Sequence, residues 1–492
     1  MNEFEVPGIA VAVMKDGHVI VAKGYGVRKL GEPAPVDANT LFGIASNTKA
    51  FTTAALAILV DDGKLAWSDP VTKYLPAFAL YDPYVTHELT IRDLVSHRSG
   101  LGLGAGDLMF WPDTDFTRDQ VLAHARFIKP ASSFRSKYAY NNMMFIVAGQ
   151  VVQAVSGMGW EDFIRERIFA PLGMTSTRIS STSFEPGDNV AYPHSRGWRQ
   201  EGPLTPIHMT KDVTWAPAAG IKTSVNDLSK WIIVQLNRGR LDNGKHLFSE
   251  AQSRQLWSAQ TIIPISEPPA PLKAAKPSFA AYGLGWSLRD YRGHKVVGHG
   301  GALTGMLSQV SMIPDQNLGV IVLTNQEESG AMASITNLIF DYYLNAPPTD
   351  WIAAYHEARN EALRKAADAE KKQDSERVAH ANPSLELAKY AGTYRDAWYG
   401  KAIVSYDDGK LGLRMTHTPA MIADLEHWHY DTFKAVFRDK TIPDAFVTFS
   451  LDNEGRIAEM TMAPTSELAD FSFDYRDLLF RPVKAQTQAA AK

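Results

Sequence analysis

Residues Ser46-Asn47-Thr48-Lys49-Ala50-Phe51-Thr52-Thr53-Ala54-Ala55-Leu56-Ala57-Ile58-Leu59-Val60 are apolar nearly throughout, and Gly63 follows them. A run of this length without alternation, closed by a glycine suited to a C′ position, reads as a helix buried on all sides. Such a helix belongs in the middle of a domain. Upstream, residues 9–14 and 18–23 are short apolar runs around Lys15-Asp16-Gly17, and Asp-Gly between such runs signals a hairpin. Downstream, residues 281–325 return to strand pattern in Lys295-Val296-Val297, Leu307–Met312 and Leu318–Leu323, divided by Gly-rich and Pro-Asp turns. From about 67 to 260 the punctuation is helical with loops, including apolar segments at 143–156 and 160–168. Strands at both ends with helices between them predict an α/β fold, an antiparallel sheet flanked by helices with an α-rich insertion, in which the two ends of the domain meet.

The Pro-rich stretch 263–277 reads as an irregular surface loop, and 327–346 and 351–380 as helices, the second rich in Ala, Glu, Lys and Arg. Beyond Pro383 the pattern changes to short strands with turn signals such as Asp407-Asp408-Gly409 and Asp452-Asn453-Glu454-Gly455, dense in aromatic residues. The reading is a first domain over 1–346, a helical linker over 347–383, a small all-β barrel over 384–483 and a frayed tail over 484–492.

Composition narrows the function classes. Of 492 residues 45% are hydrophobic and 21% charged, the ordinary globular balance, which excludes disordered and fibrous classes. The formal charge of −4 offers no general field for nucleic acid or anionic membrane. The absence of cysteine excludes thiol catalysis, disulfides and iron–sulfur ligation. No apolar run reaches the ~18–20 residues of a membrane-spanning helix. A strand that begins almost at once, at Val6-Pro7-Gly8-Ile9, favours an exported, periplasmic protein whose leader has been removed, with a cytoplasmic location left open. No cofactor is expected, and the oligomeric state is not legible.

Three constellations carry chemistry. Ser46-x-x-Lys49 sits where a loop feeds the buried helix, with the lysine one turn from the serine on the same face. Apolar surroundings would depress the lysine pKa and supply a neutral amine to take the serine proton, although a helix-capping serine gives the same pattern. Tyr140-Asn141-Asn142 precedes an apolar helix; a tyrosine beside an ammonium can relay a proton and Asn142 can bond a substrate amide, whereas an aromatic turn with an Asn cap reads identically. Val297-Gly298-His299-Gly300-Gly301-Ala302 ends a strand where His299, Gly300 and Gly301 allow close approach of substrate and Ala302 can offer an amide to an oxyanion; a Gly-rich turn with an incidental histidine is the alternative. Two histidines, His427 and His429, have no third ligand nearby and read as members of an aromatic cluster, so no metal site is expected.

Taken in order, these motifs resemble the serine β-lactamase-like hydrolases, the group of class C β-lactamases, DD-peptidases, D-aminopeptidases and related esterases. Further stretches fit: Pro7-Gly8-Ile9-Ala10-Val11, Leu94-Val95-Ser96-His97-Arg98-Ser99-Gly100-Leu101, Pro171-Leu172-Gly173-Met174 and Ala219-Gly220-Ile221-Lys222-Thr223-Ser224. The resemblance spans about 1–345. It implies Ser46 as acylated nucleophile, Lys49 as its partner, Tyr140 as general base and acid, Asn142 as a substrate contact, and an oxyanion hole from the Ser46 and Ala302 amides. Where β-lactamases carry Lys-Thr-Gly, this chain has His299-Gly300-Gly301, so efficient β-lactam hydrolysis is not expected; His299 is a candidate either to tune Tyr140 or, protonated, to hold a substrate carboxylate. Tyr390-Ala391-Gly392-Thr393-Tyr394 and the 427–433 stretch resemble the lipocalin-like barrel often appended to such hydrolases.

The apolar loop Leu108-Met109-Phe110-Trp111-Pro112 and the 263–277 loop suit a hydrophobic, partly peptidic substrate. The function expected is therefore a serine peptidase acting on short, hydrophobic peptides with D- or non-ribosomal residues, as family members that open linearised cyclic peptides such as microcystin do. A carboxylesterase of the same fold is the alternative, and a catalytically silent penicillin-recognising binding protein the third reading.

Overall fold

The computed structural model describes residues 1–483; the tail expected at 484–492 lies outside the described residues. Among the described residues the chain forms two compact units, one of residues 1–102, 130–196 and 202–363, the other of 103–129, 197–201 and 364–483.

The first unit is built on an eight-stranded antiparallel sheet. Its strands are β1 (Gly8–Lys15), β2 (His18–Gly26), β3 (Thr261–Ile262), β4 (Ala280–Tyr282), β5 (Ser287–Tyr291), β6 (His294–Leu303), β7 (Met306–Ile313) and β8 (Leu318–Thr324), in the order β2-β1-β8-β7-β6-β5-β4-β3. The hairpin expected around Lys15-Asp16-Gly17 is β1–β2. The meeting of the two ends is the β1–β8 pair, with Ile9 opposite Thr324 and Lys15 opposite Leu318. Alternation sends Ile9, Val11 and Val13 of β1 with Val320 and Val322 of β8 into a core completed by Phe340 and Trp351. Ala10, Ala12 and Met14 point the other way and are fully buried too, so helices cover both faces.

The helices that matter for the site are α1 (Thr48–Asp61), α2 (Met143–Ser156) and the short α3 (Ala216–Ala219); α4 (Val225–Leu236), α5 (Ser329–Tyr343) and α6 (Trp351–Glu376) complete those described here. The buried helix expected from Ser46 starts two residues later: Ala45–Asn47 form a 3₁₀ turn and α1 runs on to Asp61. A 3₁₀ entry lets Ser46 leave the helix barrel while Lys49 stays in its first turn. The segment read as one helix over 160–168 is α-helical only over Trp160–Ile164 and widens to a π-type turn over Arg165–Phe169.

The second unit holds a closed antiparallel barrel of eight strands: β9 (Gly392–Asp396), β10 (Gly400–Asp407), β11 (Lys410–Met415), β12 (Ile422–His429), β13 (Thr432–Phe437), β14 (Ala445–Leu451), β15 (Ile457–Pro464) and β16 (Leu479–Pro482). Closure is the β9–β16 pair, Tyr394 opposite Pro482 and Arg395 opposite Arg481. Every second side chain is buried, as a barrel of this size requires. Residues 103–129, read from the sequence as part of the α-rich insertion, belong to this unit instead: Asp115 N donates to His417 O at 3.1 Å, and His124 Nδ1 donates to Trp398 O at 2.6 Å. Leu108, Met109 and Phe110 are buried there, so they do not form the open apolar loop expected for substrate. A bulge between His427 and His429 breaks their alternation, and the His427 ring lies edge-on to Phe433.

Among the described residues no single helix is long and apolar enough to cross a membrane, and no group of three or more His, Cys, Asp or Glu side chains is placed to hold a metal.

Candidate active site

Three hydrogen bonds to one remote segment, residues 217–221, fix the start of α1. Thr48 Oγ1 accepts from Ile221 N at 3.1 Å, Thr52 Oγ1 donates to Pro217 O at 2.6 Å, and Lys49 Nζ donates to Ala218 O at 3.1 Å. On the other side α2 approaches the same strip closely, because Gly149 presents no side chain to the Pro217 ring. Asn141 Oδ1 takes the Met144 N–H at 3.2 Å and so caps α2, which leaves Asn142 and Tyr140 to face α1.

Lys49 is fully buried, yet its side-chain nitrogen is surrounded by oxygen. Ser46 Oγ lies at 2.9 Å and Asn142 Oδ1 at 2.7 Å, with Ala218 O as the third acceptor. The Tyr140 and Phe145 rings stand 4.8 Å and 5.3 Å from Nζ to their centroids. Ser46, Lys49, Tyr140 and Asn142 are thus brought together as the motifs suggested. The Asn142 carbonyl oxygen is engaged by Lys49.

The turn that carries Ser46 is strained and braced. Ala45 sits at φ 48°, in the left-handed region that a non-glycine residue occupies at a cost. Ser308 of β7 donates to Ile44 O at 2.7 Å and accepts from Asn47 Nδ2 at 2.8 Å, gripping the turn on both sides of Ser46. Opposite Ser308 in the sheet register is Gly301, whose missing side chain lets β6 lie against Ile44 and Ala45. This contact brings the 300–302 end of β6 beside the serine turn; Gly300 and Ala302 are exposed and Gly301 is buried.

His299 does not serve as the carboxylate grip expected of it. Its Nδ1 lies 2.5 Å from Gly300 O and must donate to that carbonyl, so Nε2 holds the lone pair that receives the Tyr282 hydroxyl proton at 2.9 Å. Burial, with the nearby Lys49 charge, pushes the imidazole down to about 3, and the ring is neutral at ordinary pH. Burial likewise holds the Tyr282 phenol well above its usual value, reinforced by Tyr140 and Tyr138.

His97 lies in the family-like stretch Leu94–Leu101 but has no chemical signal of its own in the sequence, and Tyr282 and Ser308 have none either. In the structure the His97 ring packs on Tyr140 with centroids 4.2 Å apart and on Tyr282 at 4.4 Å. Beneath it, buried Asp93 is bonded by Arg98 Nε and Arg135 Nη2, each at 2.6 Å, which ties the 93–98 turn to the segment leading to Tyr140.

Comparison with known proteins gives the family and the fold. A family model described as Domain of unknown function (DUF3471) matches residues 376–482. Unguisins hydrolase ungD of Aspergillus violaceofuscus is 30% identical over 475 residues, covering 88% of this chain and 80% of its own. The fold is shared with the octameric penicillin-binding protein homologue of Pyrococcus abyssi, at TM-score 0.59 and 24% identity over 98% of this chain and 97% of that one. It is shared also with the D-amino acid amidase of Ochrobactrum anthropi SV3 complexed with L-phenylalanine amide, at TM-score 0.54 and 22% identity over 65% and 86% of the two chains. The model described as Beta-lactamase matches residues 1–343, and the chain belongs to that family of serine-hydrolase and penicillin-binding-like fold.

Proposed function

We propose that this protein hydrolyses amide bonds of short, hydrophobic peptides, including ones with D- or non-ribosomal residues such as linearised cyclic peptides, through an acyl-enzyme on Ser46. The observation that carries the reading is the placement of Lys49 Nζ among Ser46 Oγ, Asn142 Oδ1 and Ala218 O. A neutral amine has two N–H donors and one lone pair. With the donors on Asn142 and Ala218, the lone pair faces the serine hydroxyl.

The cycle balances as follows. Lys49 takes the Ser46 proton as Oγ attacks the carbonyl carbon, and the backbone amides of Ser46 and Ala302 hold the oxyanion. The C–N bond breaks as Tyr140 gives its phenolic proton to the leaving amine, which leaves a phenolate beside the Lys49 ammonium. Water then attacks the ester and gives its proton to Tyr140. When the second tetrahedral intermediate collapses, Ser46 Oγ recovers its proton from Lys49.

Two relatives support an amide substrate: the curated hydrolase named for unguisins at 30% identity, and the fold neighbour named a D-amino acid amidase. A neutral His299 presents no charge to the carboxylate of a β-lactam, which supports a substrate of another kind. The test is a panel of D- and L-residue peptides and p-nitrophenyl esters read by mass spectrometry, wild type against Ser46→Ala. Peptide cleavage that vanishes in Ser46→Ala is the expected result; ester turnover without peptide cleavage makes the protein a carboxylesterase.

A further inference from the structure

We propose that His97 is a positioning residue that sets the phenol of Tyr140, a role that rests on the reading of Tyr140 as the acid and base of the cycle. His97 brackets Tyr140 from both sides along the chain. Its carbonyl oxygen accepts from Ala139 N at 3.0 Å and its Nδ1 accepts from Asn141 N at 3.1 Å, so both neighbours of Tyr140 hang on one residue. Its ring covers the tyrosine ring at 4.2 Å with an interplanar angle of 34°. Backbone and ring of Tyr140 are thereby fixed together.

The chain accepts three local costs to keep a histidine there. His97 sits at φ 55°, in the left-handed region that costs a non-glycine residue. It is 1% exposed, so its polar ring is removed from water. Because Nδ1 accepts a backbone proton, the ring proton of the neutral form is on Nε2, and that buried nitrogen has no hydrogen-bond partner among the described residues. Burial, with Lys49 and His299 nearby, also holds the imidazole well below its ordinary value, so the His97 ring is neutral at ordinary pH.

The arrangement separates positioning from chemistry. His97 reaches the reaction only through Tyr140, and its loss lowers turnover by displacing the phenol. Misplacement of a catalytic group by about 1 Å costs on the order of 100-fold in rate.

The experiment is a double-mutant cycle on the full chain, with p-nitrophenyl acetate turnover and fluorophosphonate labelling of Ser46 as readouts. His97→Phe keeps the ring and removes the Asn141 acceptor; His97→Asn tolerates the left-handed backbone and keeps an acceptor. The expected results are a fall in kcat of about 30- to 100-fold in His97→Phe with KM within about threefold, partial rescue in His97→Asn, and no further loss when His97→Phe is added to Tyr140→Phe. On the wild type, ¹⁵N shifts of labelled histidine should show Nδ1 bare and Nε2 protonated throughout pH 5 to 9. Additive losses in the cycle, or a protonated Nδ1, overturn the role of His97 while leaving Tyr140 in place. Full activity of Tyr140→Phe, or a wild type that neither labels at Ser46 nor turns over ester, overturns instead the reading on which it rests.

Discussion

Asn142 Oδ1 accepts a hydrogen bond from Lys49 Nζ at 2.7 Å across 93 residues of sequence, and this bond joins the two halves of the catalytic group. An amide at this point is informative because it is uncharged. It orients the amine without fixing its protonation state, whereas a carboxylate in the same place would hold the lysine as ammonium.

That difference is measurable. Asn142→Asp should lower turnover at pH 7 by about 10- to 1,000-fold and move the acid limb of the pH–rate profile up by about 1 to 3 units, the usual effect of an adjacent opposite charge. Asn142→Ala should lose activity without that displacement. The check is kcat/KM from pH 6 to 10 for both variants.

Ser308→Ala removes both bonds that brace the serine turn, leaving Ile44 O and Asn47 Nδ2 without this partner in a buried place. Stability should fall by about 1 to 3 kcal/mol. Fluorophosphonate labelling of Ser46 should slow as well, because the turn held at φ 48° for Ala45 relaxes. Urea unfolding and labelling kinetics read the two effects separately.

Asp93 carries the brace beneath His97. Burial raises its pKa, but hydrogen bonds from Arg135 and Thr90 and the Arg98 charge outweigh burial and hold it below the usual carboxylate range. Its stabilisation is therefore full above the unfolded pKa of about 3.9 and lost as pH falls through the folded value. Asp93→Asn should destabilise the first unit by about 2 to 3 kcal/mol at pH 7, at the low end for a broken buried pair because Arg98 and Arg135 are partly exposed. The deficit relative to wild type should close in strong acid, as followed by chemical denaturation at several pH values.

His299 gives the opposite chemistry with the same sign. A base whose folded pKa is lowered to about 3 is neutral when folded while the unfolded chain still takes up a proton near 6.5. Stability from this group is full above pH 6.5 and declines by about 1.4 kcal/mol for each pH unit below it, down to the folded value. The stability difference between wild type and His299→Asn should drift with that slope between pH 6 and 4, and be constant above pH 7.

Much of this was legible in the sequence because local signals agreed with the fold. Lys15-Asp16-Gly17 marks its hairpin, the unbroken apolar run after Ser46 marks a buried helix, and Ser46, Lys49 and Tyr140 lie in ordered motifs that resemble a known family. What was not legible depends on contacts between distant residues. Nothing local tells that Ser308 lies opposite Gly301 and grips the Ser46 turn, since that follows from β6–β7 register. Nor can composition tell that both nitrogens of His299 are satisfied by Gly300 and Tyr282, which removes the charge its residue type suggested. The segment 103–129 was misplaced for a related reason: short helices and loops carry no periodicity that reveals the strands they pack on, and its partners His417 and Trp398 lie nearly 300 residues away.

An acyl-enzyme at Ser46 is tested most directly by intact mass and peptide mapping after fluorophosphonate treatment of wild type and of a folded Ser46→Ala variant. A single adduct on Ser46, absent from Ser46→Ala together with all hydrolysis, is the result this account predicts. An adduct on another residue, or turnover that survives in Ser46→Ala, would contradict it.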